Sequence, residues 1–141
     1  MKTKTTEKPA KKLNLGSGED YRPPEKGWIN LDNNRMYHPD ILHDIAKVPF
    51  PFKKDTFDEI FCSHIFEHFS DLVTLLEELY RISKSKAIIT IKVPHFSHFT
   101  AYGDITHKKY FSTMCFSHTD GYYSHKFKIM NYFNHRSFSV K

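Results

Sequence analysis

The sequence predicts one α/β domain, a layered fold built on an open and mostly parallel sheet. Three observations support this prediction. Short apolar strands alternate with loops over residues 12–93, and one amphipathic helix lies between two of the later strands. Turn residues directly follow the first strand of the chain. A helix between two such strands indicates a right-handed parallel crossover. In sheets of this kind ligands bind beyond the carboxyl ends of the strands.

Five segments are predicted as strands of the parallel sheet. They are residues 13–15, 28–31, a short strand within 40–45, 57–62 and 87–93. The last of them is the clearest, because β-branched residues dominate it.

The helix between the fourth and fifth strands is predicted over residues 71–83. Its apolar residues recur at the helical period and give one face: Leu72, Leu75, Leu76, Leu79 and Tyr80. Ser70 is the predicted N-cap, with Asp71 favourable in the first turn.

A C-terminal antiparallel hairpin is predicted after residue 126. Its strands are residues 127–133 and 136–140, joined at Asn134-His135. Before it, residues 95–126 are rich in His, Tyr, Phe and Ser and show little periodicity.

Length and charge suggest a disordered basic tail over residues 1–11 and a single domain over 12–141. Residues 1–12 hold five lysines and one glutamate, so they carry +4 of the formal net charge of +5. Cys62 and Cys115 are far apart and predict no disulfide, which favours a reducing compartment. Without a signal-like or membrane-spanning apolar run, the protein is expected in the cytoplasm.

Glycines and carboxylates follow the first strands in a definite order. Gly16-Ser17-Gly18 directly follows the first strand, and glycine lets a backbone turn sharply close to a ligand. Asp32 ends the second strand, where a carboxylate could accept hydrogen bonds from a ribose diol. Asp44 follows the third. Each has a simpler interpretation as a loop or turn residue, but the three in sequence favour a nucleotide-like ligand.

These segments resemble the small class I methyltransferases, which use S-adenosylmethionine. The resemblance spans roughly residues 12–111 and rests on these motifs: Leu13 to Gly18, Gly27 to Asp32, His43-Asp44-Ile45, Val48 to Phe52 with Phe57 to Ile60, Ser63 to Phe69, Glu78 to Ile82, Val93 to Phe96, and Gly103 to Phe111. It implies a Rossmann-like three-layer sandwich, here compact or truncated, and an enzyme with S-adenosylmethionine as cofactor.

The resemblance also implies roles for matching positions. Gly16, Ser17 and Gly18 would line the methionine and ribose side of the cofactor, and Asp32 would hold the ribose hydroxyls. Asp44 and Ile45 would flank adenine, while Ser63 and His64 would face the sulfonium.

This sequence departs from the family at three places. Asn14, also assigned to the cofactor site, stands where many methyltransferases have an acidic residue. The segment 19–26, with Pro23-Pro24, leaves little room for a first crossover helix. Residues 83–86 replace the family's usual Pro-Gly-Gly, which predicts altered turn geometry before the fifth strand.

Histidines are the candidates for acid–base chemistry, because their pKa lies near neutral pH. His68, His95 and His107 are the predicted substrate-side residues. No metal site is predicted, because His64, Glu67 and His68 do not follow the His-Glu-x-x-His order.

Two other functions remain alternatives: a methyltransferase-like binding subunit with weak or no catalysis, and a nucleotide-dependent oxidoreductase. The oxidoreductase is disfavoured because the third glycine of Gly-x-Gly-x-x-Gly is missing. The sequence does not identify the methyl acceptor. The positive charge of residues 95–141 suits an anionic acceptor, no membrane partner is expected, and a nucleic acid partner or a homodimer stays open.

Overall fold

The computed structural model describes residues 10–116, 131–134 and 137–140, and for the last two segments only the backbone. The predicted basic tail therefore lies outside the described residues, apart from residues 10 and 11. In the described part of the chain, no helix is long and apolar enough to cross a membrane.

The described residues form one sheet of seven strands in the order β3-β2-β1-β4-β5-β7-β6. The strands are β1 Lys12–Leu15, β2 Trp28–Asp32, β3 Ile41–Leu42, β4 Phe57–Ser63, β5 Ser83–Pro94, β6 Asn131–Asn134 and β7 Ser137–Val140. Strands β1 to β5 pair in parallel. The sheet is thus the α/β type that the alternating apolar segments predicted.

At the far edge, β7 pairs antiparallel with both β5 and β6. The hairpin prediction placed its strands at residues 127–133 and 136–140. The structure has shorter strands, and residues 127–130 and the turn residue His135 lie outside the described part.

The order of the strands reverses beside β1. From β1 the chain builds outward through β2 and β3 on one side, then returns to place β4 and β5 on the other. Neighbouring carboxyl ends stay level, since Leu15 pairs with Leu31 of β2 and with Cys62 of β4. A crevice forms at such a switch point, which makes it the expected ligand position.

One α-helix, α1 Leu72–Ile82, lies within the described residues, between β4 and β5. Single 3₁₀ turns, Pro24–Lys26 and Arg35–Tyr37, occupy the connections from β1 to β3. The structure agrees with the expectation that residues 19–26 leave little room for a first crossover helix. These short, proline-containing connections cannot supply the second helical layer that a full three-layer sandwich requires.

Two details of the helix prediction and one of the segment after it were wrong. The N-cap is Asp71, not Ser70, because the Asp71 carboxylate accepts from the Thr74 backbone N–H at 3.1 Å. Tyr80, assigned to the apolar face, is exposed, whereas Glu78 is buried. Residues 83–86, where an altered turn was expected, are the start of β5, and Lys86 takes a left-handed φ of 66°.

The core lies between this helix and the sheet. Leu75, Leu79 and Ile82 of α1 are almost fully buried, together with the central residues of β1, β4 and β5. Cys62 is buried among them, and burial raises the pKa of its thiol well above the usual value. It therefore serves packing rather than nucleophilic chemistry.

The buried Glu78 carboxylate ties α1 to the segment before β4. It accepts from the Phe50 backbone N–H at 2.6 Å and from Arg81 Nε at 2.7 Å. Arg81 also donates to the Phe52 carbonyl at 2.9 Å. Burial alone would raise the pKa of Glu78, but the hydrogen bonds from Arg81 and Phe50 outweigh it and hold that pKa below its usual range.

We expect Glu78→Gln to destabilise the fold by about 1–2 kcal/mol at neutral pH, because hydrogen bonds to a charged group are the stronger ones. The folded-state pKa lies below the usual value of 4.5. The carboxylate therefore stabilises the fold above the unfolded-state pKa, and this contribution is lost as pH falls through the folded-state pKa. In urea denaturation, the difference in free energy of unfolding between wild type and variant should narrow below pH 4.5.

The control is Glu77→Gln, which changes an exposed carboxylate of the same helix. A free-energy difference between wild type and Glu78→Gln that does not change with pH would contradict the assignment.

Candidate functional site

The glycine turn after β1 is fixed by the end of β2. Gly16 and Gly18 have left-handed φ values of 67° and 47°. The backbone N–H groups of Gly16 and Ser17 both donate to the Leu31 carbonyl, at 2.8 and 3.1 Å. The turn is therefore held against the neighbouring strand, in a conformation that glycine adopts without strain.

Asp32 bridges this turn and the loop after β2. One carboxylate oxygen accepts from the Gly18 backbone N–H at 2.8 Å, and the other from the Asn34 backbone N–H at 2.8 Å. The side chain is buried, with 6% of its surface exposed. Since a carboxylate has about four acceptor directions, each oxygen keeps one for a ligand.

A cleft of about 960 Å³ opens at the switch point, above the carboxyl ends of the strands. All nine residues predicted to bind the cofactor line it: Asn14, Gly16, Ser17, Gly18, Asp32, Asp44, Ile45, Ser63 and His64. The glycines and carboxylates that follow one another along the chain thus lie together around one cleft.

The segment after β3 forms the second side of the cleft. Asp44 accepts from the Ala46 backbone N–H at 3.0 Å and so caps its own turn. Beside it, Ile45 is buried and approaches Gly16 closely, because a Cβ added at Gly16 would lie 3.2 Å from its Cδ1. Asp44 and Ile45 therefore present one polar and one apolar surface to the cleft.

The junction after β4 forms the third side. His64 takes a left-handed φ of 55°, which brings its Nδ1 to 3.2 Å from Oε1 of the buried Glu67. Ile65 packs beneath the glycine turn, 2.9 Å from a Cβ added at Gly16. Non-glycine residues at positive φ are uncommon, and they cluster at functional sites.

Two buried polar atoms have no hydrogen-bond partner within the described residues. They are Ser17 Oγ and Glu67 Oε2. Ser17 lines the cleft and is 3% exposed. Because an unpaired buried polar atom costs roughly 1–3 kcal/mol, an orphaned hydroxyl on a cleft wall indicates a ligand that supplies the missing bond.

A family model described as a methyltransferase domain matches residues 25–91, just under half of the chain. This span includes β2, β3, β4, α1 and most of β5. Over this span the chain is similar to the methyltransferase domain family. No curated protein matches the sequence significantly.

Solved structures show the same fold. An S-adenosylmethionine-dependent methyltransferase from Archaeoglobus fulgidus is 23% identical at a TM-score of 0.67, covering 80% of this chain and 59% of its own. A complex between the Haloferax volcanii Trm112 methyltransferase activator and a putative methyltransferase is 20% identical at a TM-score of 0.65, and the match covers 87% of this chain and 63% of that chain. An S-adenosylmethionine-dependent methyltransferase from Aquifex aeolicus is 16% identical at a TM-score of 0.63, and the match covers 94% of this chain and 81% of that chain. This chain therefore spans less than two thirds of the length of the first two.

A network of asparagines at the start of the sheet was missed by sequence reasoning. Asn14 and Asn30 are register partners on β1 and β2, and Asn14 Nδ2 donates to Asn30 Oδ1 at 3.0 Å and to the Asp20 carbonyl at 2.6 Å. Asn30 donates to the Arg22 carbonyl and to Asp40. A carboxylate at position 14 could not donate, so asparagine holds the short loop that replaces a crossover helix. The available signal was two asparagines inside apolar strands.

The three predicted catalytic histidines do not share one position. His68 lines the cleft, whereas His95 and His107 are not among its lining residues. His95 Nδ1 lies 2.7 Å from Ser97 Oγ, on a loop after β5. His107 packs edge-on against His68, with ring centroids 4.8 Å apart. The structure thus brings two of the three together, and one of these reaches the cleft.

Proposed function

We propose that this chain binds S-adenosylmethionine in the cleft at the switch point and acts as a methyltransferase. The observation that carries the proposal is the position of Asp32. Its buried carboxylate accepts a hydrogen bond from the glycine turn and can still accept hydrogen bonds from the hydroxyls of a ribose. The methyltransferase fold and the S-adenosylmethionine dependence named for similar structures support it.

The charge of the cleft favours this cofactor over a dinucleotide. Five carboxylates and one lysine line it: Glu19, Asp20, Asp32, Asp44, Asp71 and Lys108. S-Adenosylmethionine carries a net positive charge through its sulfonium and amino groups, whereas NAD carries an anionic pyrophosphate. A pyrophosphate is usually bound at a helix N-terminus after the glycine turn, and no helix follows Gly18 here.

The cleft wall fits the cofactor at further points. The orphaned Ser17 hydroxyl can pair with a polar group of the ligand, and the space beside Gly18 is open, with no atom within 4 Å of an added Cβ. We assign Asp32 to the ribose hydroxyls and Asp44 with Ile45 to the adenine. Ser63 and His64, on the opposite wall, are assigned to the sulfonium end.

When bound, the cofactor supplies an electrophilic methyl group for an in-line displacement. The chain's contribution is to hold donor and acceptor in the reactive pose and to exclude water. Where the acceptor must lose a proton, His68 is the predicted histidine that lines the cleft. Its Nδ1 lies 2.9 Å from Thr106 Oγ1, which orients the ring.

Parallel calorimetric titrations of the full chain with S-adenosylmethionine, S-adenosylhomocysteine and NAD test the proposal. We expect the first two to bind with one site per chain and NAD to bind far more weakly, because the wall is acidic and lacks a helix N-terminus. Binding of NAD alone would overturn the proposal.

A methyltransferase-like binding subunit is the second candidate. The observation that favours it is the connection from β1 to β2, which holds a single 3₁₀ turn in place of a crossover helix and leaves that side of the cleft thinly covered. The similar structure from Haloferax volcanii contains a methyltransferase activator, and a protein partner for this chain is a proposal of the same kind. Mass spectrometry of a substrate panel separates the two, since an enzyme transfers a methyl group and a binding subunit does not.

A further inference from the structure

Three potential metal ligands meet beside the cleft. Glu67 and His68 belong to the 3₁₀ turn Phe66–His68 after β4, and His107 comes from the loop after β5. One carboxylate oxygen and one nitrogen from each histidine lie within 4.8 Å of one another. Sequence spacing could not show this group, because 39 positions separate His68 from His107.

The Glu67 carboxylate lacks the partners that a buried charge needs. The side chain is 1% exposed, Oε1 lies 3.2 Å from His64 Nδ1, and Oε2 has no hydrogen-bond partner in the part of the chain that the structure describes. Burying a carboxylate without full pairing is costly, so buried charges are paired or coordinate metals. The orphaned oxygen is therefore an independent indication of a bound group at this place.

Hydrogen bonds fix both histidines in the tautomer that binds metal. His107 Nδ1 lies 2.8 Å from the Ala101 carbonyl, which can only accept, so Nδ1 carries the proton and Nε2 keeps its lone pair. Thr106 donates its hydroxyl proton to Asp104 at 2.7 Å, so it accepts from His68 Nδ1 and leaves Nε2 of that ring unprotonated. Metal-binding histidines typically donate their other N–H in this way.

The two segments that supply the ligands are joined through the backbone. The N–H groups of Lys108 and Lys109 both donate to the Glu67 carbonyl, at 2.7 and 3.1 Å. Asp104 Oδ2 lies 4.0 Å from His107 Nε2, too far for a hydrogen bond, so this carboxylate does not hold a proton on Nε2. The ligands are thus assembled by the fold itself.

We propose that Glu67, His68 and His107 bind a divalent first-row transition metal ion, for which Zn²⁺ is the probe. Two imidazoles and one carboxylate form the ligand set of catalytic zinc sites, which keep a further position open, and of related iron sites. Because His68 also lines the cleft, the ion lies at the cleft's edge. A metal on His68 Nε2 makes this residue a ligand instead of a base. The proposal does not rest on the methyltransferase activity.

The test uses the full chain, stripped with a chelator and titrated with Zn²⁺ by calorimetry without cofactor. We expect one tight site per chain, a visible Co²⁺ spectrum of low coordination number, and little competition from Mg²⁺, which prefers oxygen ligands. Glu67→Gln and His107→Ala should each weaken Zn²⁺ binding at least about a hundredfold, more than the loss of a supporting group. His98→Ala, which changes a half-buried histidine that caps the turn Phe99–Ala101, is the matched control and should bind as wild type.

A further variant guards against misfolding of the buried substitutions. Thr106→Val changes an exposed residue and removes the hydroxyl that accepts from His68 Nδ1 and donates to Asp104, so binding should fall about tenfold to a hundredfold while the fold is kept. Absence of Zn²⁺ binding by the folded wild-type chain overturns the proposal. Equal binding by wild type, Glu67→Gln and His107→Ala also overturns it, since the ion would then sit on surface histidines.

Discussion

Asp32→Ala is expected to weaken S-adenosylmethionine binding by about tenfold to a hundredfold, because a charge-assisted hydrogen bond contributes roughly 1.5–3 kcal/mol. The structure adds a second reason. The Asp32 carboxylate also holds the Gly18 N–H and the Asn34 N–H, so its removal loosens the turn that faces the ligand. Calorimetry with S-adenosylmethionine and S-adenosylhomocysteine measures the loss.

Asp32→Asn separates the two contributions. Asparagine keeps one oxygen for the Gly18 N–H but loses the charge and the second acceptor oxygen, so its affinity should fall between wild type and Asp32→Ala. Exposed Glu25→Gln is the charge control. Wild-type affinity in a folded Asp32→Ala protein would refute the ribose role.

Gly16→Ala is expected to destabilise the fold by about 2–4 kcal/mol. A left-handed residue with a Cβ costs about 1 kcal/mol or more, and overpacking adds about 1–3 kcal/mol. The new Cβ would lie 2.9 Å from Ile65 Cγ2 and 3.2 Å from Ile45 Cδ1 at a φ of +67°. Both isoleucines support the cleft, so cofactor affinity should fall together with the urea midpoint.

Gly18→Ala is the matched control two positions away. Its φ is +47°, but an added Cβ would meet no atom within 4 Å. This variant should therefore lose only the left-handed strain, about 1–2 kcal/mol. Equal destabilisation by the two substitutions would show that packing under Gly16 is unimportant.

The wall of the cleft was largely predictable because it lies at the carboxyl ends of parallel strands. Gly16 directly follows β1 and Asp32 ends β2, and parallel pairing brings such strand ends to one edge of the sheet. The nine residues singled out from Asn14 to His64 therefore line one cleft. The cap of α1 was misplaced by one residue, since Ser70 and Asp71 are both good capping residues and only the bond to Thr74 decides between them.

The asparagine network and the histidine cluster were not predictable in the same way. Asn14 meets Asn30 through the register of β1 and β2. His68 meets His107 through the path of the loop after β5. Glu78 became a buried clamp because Arg81 and the Phe50 N–H satisfy it.

The sequence by itself determined the α/β class, the parallel strands and the order in which glycines and carboxylates reach the cleft. These follow from periodicity and from chain order, which are local properties. Only the tertiary structure decided which side chains are buried without partners and which distant loops meet. Among the described residues, Ser17 Oγ and Glu67 Oε2 have no hydrogen-bond partner, and His107 lies beside His68, because burial and long-range contact depend on the whole packed chain. That is why the sequence leads to the cleft proposed for the cofactor, while the proposed metal site beside it comes from the fold.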